Sequence, residues 1–233
     1  MKSIRELANA HAGETARIIG KGPSLRHLAI TDIGPGPVIA ISESIITVER
    51  LRLRPYHSND IGLPNESLYS LQKDLGNVRP LTCPVLLSFH ESEKDLPGYE
   101  PSYVFNMCDD LHLPYHGWSA VAACEIARLM GCTALDYICC DVMTTGDMST
   151  YDPLKGTVEL VHGNYSPLPM ALLHHLVSVG IKTTFTHPAA AVKVVKIEDH
   201  RAEVDRAITE KFKATHPKFV ELCPPPTIGS ALP

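Results

Sequence analysis

One stretch constrains the fold of this chain more than any other. Ala16-Arg17-Ile18-Ile19 runs directly into Gly20-Lys21-Gly22-Pro23-Ser24-Leu25. A short apolar run that stops on glycines and is followed by proline and serine predicts a strand, a tight turn and a helix start. A second apolar run, Val38 to Ile41, follows the turn-rich Gly34-Pro35-Gly36-Pro37 and ends in Ser42-Glu43-Ser44. Ser67 to Leu71 reads as a third strand, ending at Gln72-Lys73-Asp74, and Pro84 to Phe89 as a fourth, ending at His90-Glu91. Short strands separated by helix-length segments predict βαβ units and a parallel sheet.

The second half repeats the pattern more clearly. Ser119 to Met130 predicts a largely buried helix, with Trp118 before it, Ser119 as N-cap and Gly131 closing it. The strand Leu135 to Cys140 follows and ends at Asp141, and a loop of small residues spans Thr144 to Pro153. A helix over Leu168 to Val179, a strand over Ile181 to Phe185 and a charged helix from about Asp199 to Ala214 complete the fold, and Pro224-Pro225-Pro226 opens a tail. With 233 residues, one domain is expected. It is an α/β, Rossmann-like, doubly wound and mostly parallel sheet with helices on both faces. An N-terminal arm or helix is expected over 1–15, the Rossmann-like domain over 16–215 and a proline-rich tail over 216–233.

Composition excludes several function classes. Lys and Arg number 21 against 26 Asp and Glu, a net charge of −5, so no general basic field exists for gripping a phosphate backbone. At 44% hydrophobic and 20% charged, the chain is not disordered as a whole. No apolar run reaches the roughly 18 residues of a membrane helix, so no membrane span is expected. The first residues carry charges and no apolar core of a secretory signal. The seven cysteines form no CxxC pair and predict reduced thiols in a cytoplasmic protein.

Ligands of open α/β sheets bind beyond the carboxyl ends of the strands. That rule gathers the Gly20–Leu25 loop, Ser42-Glu43, Gln72-Lys73-Asp74, His90, Asp141 and the loop after it. Glycines admit close backbone approach, and amides at a helix start favour an anion such as phosphate. GKGPS is neither a P-loop nor a full GxGxxG, and a tight turn without a ligand explains it as well. Glu43 stands where a ribose-holding acid sits in dinucleotide folds, although acids at helix starts are common. Thr144, Thr145 and Tyr151 belong to a hydroxyl-rich stretch that either closes over a polar ligand or forms an ordinary turn. His162, beside Gly163, is sterically open and suits a general base or plain exposure. Asp109, Asp110, His112 and His116 lack a metal-binding register and read as polar loop residues, and Arg50, Arg52 and Arg54 read as a solvated face or a local basic patch.

Together, GKGPSL at 20–25, the small polar residue ending the second strand and the block from Trp118 to Asp141 resemble the bacterial CMP-sialic-acid-dependent sialyltransferase family. They also resemble the related MptE-like hydroxymethylpterin diphosphokinases, over residues 16 to about 185. The resemblance implies that Gly20, Lys21, Gly22 and Ser24 hold nucleotide phosphates and that Ser119 contacts the nucleotide. Asp141 then matches the family's strand-end aspartate, Tyr151 the tyrosine that stabilises the departing phosphate, and His162 the catalytic histidine. Lys21 and Ser42 stand where the family usually carries asparagine.

The implied activity is sugar transfer from a nucleotide-activated donor, CMP- or UDP-linked, to an acceptor hydroxyl. The acceptor would be a glycan, a small molecule or a modified DNA base. The resemblance implies no metal, no tightly bound cofactor and a homo-oligomer. Ser42, Glu43, Gln72, Lys73, Thr144 and Thr145 complete the expected donor site. The alternatives are ATP-dependent diphosphate transfer, which would need a metal, a transferase acting on modified bases of viral DNA, and a non-catalytic nucleotide-binding module.

Overall fold

A computed structural model describes residues 2–51, 61–63, 86–88, 102–113, 119–160, 168–188 and 194–196. Its strands are β1 (Lys2–Ser3), β2 (Thr15–Ile19), β3 (Val38–Ile41), β4 (Ile61–Leu63), β5 (Leu86–Ser88), β6 (Tyr103–Phe105), β7 (Ala134–Ile138), β8 (Ser149–Asp152), β9 (Thr157–Leu160), β10 (Lys182–Thr186) and β11 (Val194–Lys196). Its helices are α1 (Ser44–Arg50), α2 (Ser119–Leu129), α3 (Asp141–Thr144) and α4 (Leu168–Val179). The main sheet has six strands in the order β11-β10-β7-β2-β3-β4. Every pair in it is parallel except β10 with β11.

The pleat sorts the apolar side chains of these strands into two layers. Ile18, Ile39, Leu135, Tyr137 and Phe185 face α2 and α4, packing with Ala123, Ile126, Leu172 and Leu176. Ile19, Val38, Ala40 and Ile138 face the other way and pack with Leu25, Leu28, Ile45 and Val48. All of β3 is buried, as a central parallel strand covered on both faces must be. Tyr137 stacks on Phe185 with ring centroids 5.4 Å apart, and its hydroxyl donates to the Ala120 carbonyl at 2.9 Å. Burying each such large side chain stabilises the fold by about 1.5–3 kcal/mol.

The sheet also carries a polar row. Arg17 Nη1 lies 2.9 Å from Asp136 Oδ2, while the hydroxyls of Thr184 and Thr186 donate to Asp136 Oδ1 at 3.0 and 2.8 Å. Arg17 Nε donates to the Pro35 carbonyl at 3.1 Å, so the guanidinium is held from two sides.

Chain direction places the functional edge. From β2 the chain steps to β3 and β4 along one side, with its connections on the Ile19 face. From β7 it steps the other way to β10, with α4 on the Tyr137 face. Right-handed crossovers running in opposite directions need opposite faces, which is why helices cover both. The reversal falls between β2 and β7 and opens a crevice at their carboxyl ends. The expected Rossmann-like, doubly wound α/β architecture is therefore present.

Several elements differ in detail from the sequence expectation. A second, three-stranded parallel sheet, β1-β6-β5, stands beside the main one. Within Pro84–Phe89, Leu86–Ser88 is a strand, but it pairs with β6 in the small sheet. The helix expected after Gly22 is a single 3-10 turn, Pro23–His27. The loop after Thr144 becomes an antiparallel hairpin, β8 with β9, whose turn is held by Asp152 Oδ1 accepting from the Leu154 and Lys155 amides. The strand expected at Ser67–Leu71, the helix at Asp199–Ala214 and the tail from Pro224 lie outside the described residues. Among those described, no helix is long and apolar enough to cross a membrane.

Candidate functional site at the carboxyl edge

The loop after β2 is bound to the end of β7. The Gly20 amide donates to the Ile138 carbonyl at 2.8 Å and the Gly22 amide to the Cys139 carbonyl at 2.9 Å. A Cβ on Gly20 would lie 2.7 Å from the Cys139 carbonyl oxygen, and one on Gly22 would lie 2.6 Å from Asp141 Cγ. Both glycines are thus required by the neighbouring strand end, a reason the motif alone did not reveal.

Asp141 starts α3 and is buried at 2% exposure. Its Oδ2 accepts from the Ser24 amide at 2.6 Å, and its Oδ1 accepts from the Ser24 hydroxyl. The carboxylate therefore occupies the donors that a glycine-loop reading assigns to phosphate. Bonds of this charge-assisted kind contribute about 1.5–3 kcal/mol each. His187, just past β10, brings Nε2 to 3.8 Å from Asp141 Oδ1, and its buried Nδ1 has no hydrogen-bond partner among the described residues.

Lys21 points elsewhere. Its Nζ lies 2.9 Å from Glu43 Oε2, and the lysine side chain is 36% exposed against 11% for the glutamate. Its carbonyl accepts from the Tyr151 amide at 2.7 Å, which docks β8 onto the glycine loop. The Tyr151 ring packs beside the Ile19 layer. Ser44, which the sequence reading did not single out, is fully buried and shares its hydroxyl between the carbonyls of Ile19 and Ile41, both at 2.8 Å. That hydroxyl ties the ends of β2 and β3 together. Arg50 Nη1 reaches the Pro153 carbonyl at 2.9 Å and links α1 to the hairpin, which a periodicity argument could not show.

Two residues at this edge hold left-handed backbone without being glycine: Ser42 at φ 51° after β3, and Cys139 at φ 60° after β7. Such conformations cost roughly 1–3 kcal/mol each and cluster at binding sites. Burial pushes the Cys139 thiol well up and the Cys140 thiol up to about 12, so neither is a nucleophile near neutrality.

Gly20, Lys21, Gly22, Ser24, Ser42, Glu43, Asp141 and Tyr151 therefore converge on one edge. Thr144 and Thr145 adjoin them, with both hydroxyls turned onto the Asp141 carbonyl at 3.3 and 3.0 Å. Ser119 starts α2 next to Ala120, whose carbonyl accepts from the Tyr137 hydroxyl near the end of β7, so it stands at the same edge. His162, Gln72, Lys73, His90, His116, Arg52 and Arg54 lie outside the described residues. Asp110 accepts from Arg5 Nε at 2.7 Å and from the Asn106 amide at 2.8 Å, a structural role that suits the loop reading.

Among the described residues, one group has metal-ligand character. Cys124 and Glu125 on α2 and His175 on α4 bring ligand atoms within 4.8 Å of one another. Glu125 already meets His175 Nε2 at 2.6 Å and Arg128 Nη1 at 2.7 Å, and burial pushes the Cys124 thiol up to about 12. As it stands, the cluster links the two helices through the hydrogen bond between Glu125 and His175.

Fold and edge define the class: a doubly wound α/β protein with its polar groups gathered at the topological switch point. No protein-family model matches the chain, and no curated protein is similar to it. Among solved structures, the chain is similar to the sialyltransferase CstII from Campylobacter jejuni in complex with a substrate analogue, cytidine-5'-monophosphate. Identity is 14%, the match covers 77% of this chain and 82% of that one, and the TM-score is 0.35. A likeness at that level carries no argument about activity.

Proposed function

We propose that this protein is a transferase of the glycosyltransferase kind, taking a sugar from a nucleotide-activated donor, CMP- or UDP-linked, to an acceptor hydroxyl. The observation that carries this reading is the convergence of the Gly20–Ser24 loop, Glu43, Asp141 and Tyr151 at the switch point, where such folds bind nucleotides. The family resemblance of GKGPSL and the Trp118–Asp141 block points the same way.

In this reading Asp141 shapes the loop rather than meeting the substrate, because its carboxylate is filled by Ser24. Lys21 and the Tyr151 hydroxyl stabilise charge on the departing phosphate, and Ser119 contacts the nucleotide. His162 takes the proton of the acceptor hydroxyl as its oxygen attacks the anomeric carbon. The bond from that carbon to the phosphate oxygen breaks, and the nucleotide leaves with the electron pair.

A thermal-shift screen against CMP, UDP, GDP and ADP and their sugars, with and without Mg²⁺, tests the reading. A ligand selective for the folded state raises the melting temperature by mass action. A shift by a cytidine or uridine nucleotide without Mg²⁺ supports it. A response confined to ADP or ATP with Mg²⁺ replaces it with diphosphate transfer, and no response to any nucleotide refutes it.

A further inference from the structure

The glycine loop looks like a phosphate cradle in sequence, yet most of its donors are already taken by the protein. The Gly20 and Gly22 amides bind the Ile138 and Cys139 carbonyls at the end of β7, the Ser24 amide and hydroxyl bind Asp141, and the Leu25 amide returns to the Gly22 carbonyl at 2.9 Å. Pro23 has no amide hydrogen. The strongest donor that the loop can turn outward is the Lys21 ammonium, which has three protons and places one on Glu43.

Among the described residues, the charged side chains bonded within or to the loop are its own Lys21 and the two anions Glu43 and Asp141. A phosphate entering beside Glu43 is repelled unless Lys21 turns to it. Once Lys21 turns, Glu43 is an 8% exposed carboxylate that has lost its partner. A buried carboxylate in that state needs new donors, and the hydroxyls of a sugar adjoining the phosphate are of the right kind.

We infer that Lys21 and Glu43 form an exchangeable latch: a ligand phosphate takes Lys21 Nζ, and the released Glu43 accepts hydroxyls of the same ligand. The latch rests on the nucleotide-donor reading above and deepens it. It selects ligands that carry both an anion and a neighbouring diol, and it discriminates against either part alone. The hydroxyls come from the ribose or from the transferred sugar, and the two sources separate in solution.

Calorimetric titration of the full chain with CMP, 2',3'-dideoxy-CMP, a CMP-sugar and inorganic pyrophosphate tests this, using Lys21→Met, Glu43→Gln and the double variant. Far-UV circular dichroism confirms the fold of each. The pair is partly solvated, so the double variant, which leaves no lone charge, folds if a single one does not. Lys21→Met weakens CMP binding by about tenfold or more, the scale of one charge-assisted bond. Glu43→Gln tightens pyrophosphate, since repulsion is removed and Lys21 is free. It also collapses the preference for CMP over dideoxy-CMP if the ribose supplies the hydroxyls, or for the CMP-sugar over CMP if the sugar does.

Wild-type binding of CMP with both preferences unchanged in Glu43→Gln overturns the latch and leaves the donor reading standing. Binding of none of the nucleotides by the wild-type chain overturns both.

Discussion

The buried bonds between Ser24 and Asp141 hold the glycine loop against the end of β7. Ser24→Ala removes a hydroxyl donor from a carboxylate that is 2% exposed, while the Ser24 amide stays at 2.6 Å. A hydrogen bond to a charged group contributes about 1.5–3 kcal/mol, so that is the expected loss. Asp141→Asn keeps a carbonyl acceptor for one Ser24 donor and turns an amide toward the other, costing a similar amount. For a chain of this size each kcal/mol lowers the melting temperature by about 2–4 °C, so Ser24→Ala falls by about 3–12 °C. Urea unfolding followed by far-UV circular dichroism measures the loss. The cycle closed by the double variant measures the coupling, expected at about 1–2 kcal/mol. An unchanged midpoint in Ser24→Ala, or strictly additive single effects, would refute the clamp and return Ser24 to the list of groups available for phosphate.

Other outcomes follow from the same geometry. Gly22→Ala drives a Cβ to 2.6 Å from Asp141 Cγ and should destabilise by about 1–3 kcal/mol on the overpacking scale, measured by the same denaturation assay. Burial raises the pKa of Glu125, but hydrogen bonds from His175 and Arg128 overcome it and hold the carboxyl below its ordinary range. The resulting stability is fully present above the ordinary glutamate pKa and is lost as pH falls through the lower folded value. Glu125→Gln should therefore flatten the acid limb of a plot of melting temperature against pH. Among the described cysteines, a maleimide under native conditions should label the exposed Cys108 first, with Cys124, Cys132 and Cys139 modified only on unfolding, as peptide mass spectrometry would show.

What the residues reveal unaided depends on range. The bounds of α4, Leu168–Val179, follow from a mostly apolar segment, broken by His174, His175 and Ser178, before Gly180, and α2 is equally plain between Ser119 and Gly131. β1 is two polar residues whose only strand signal is its partner, Tyr103–Val104, so no local pattern announces it. Ser, Thr and Asp in β8 carry loop chemistry, and the pairing with β9 overrides that preference. At the site, Gly20 and Gly22 read in sequence as places where a ligand approaches the backbone, but what lies against them is Asp141 and the Cys139 carbonyl, far away in the chain. Ser44 and His187 escape a local reading for the same reason: their partners, Ile19 and Asp141, lie far away in the chain.

The polar row across the sheet has a consequence for folding. β2, β7 and β10 are remote in sequence, and short apolar strands can pair in more than one alignment. Sliding β2 by one residue against β7 would turn the Arg17 guanidinium into the layer of Tyr137 and Phe185 and leave Asp136 facing threonines without its cation. An unpaired buried charge costs several kcal/mol, far more than one misplaced methyl group. Arg17, Asp136, Thr184 and Thr186 thus act as an alignment key read across three strands, rejecting the slipped sheets that the apolar residues alone would tolerate.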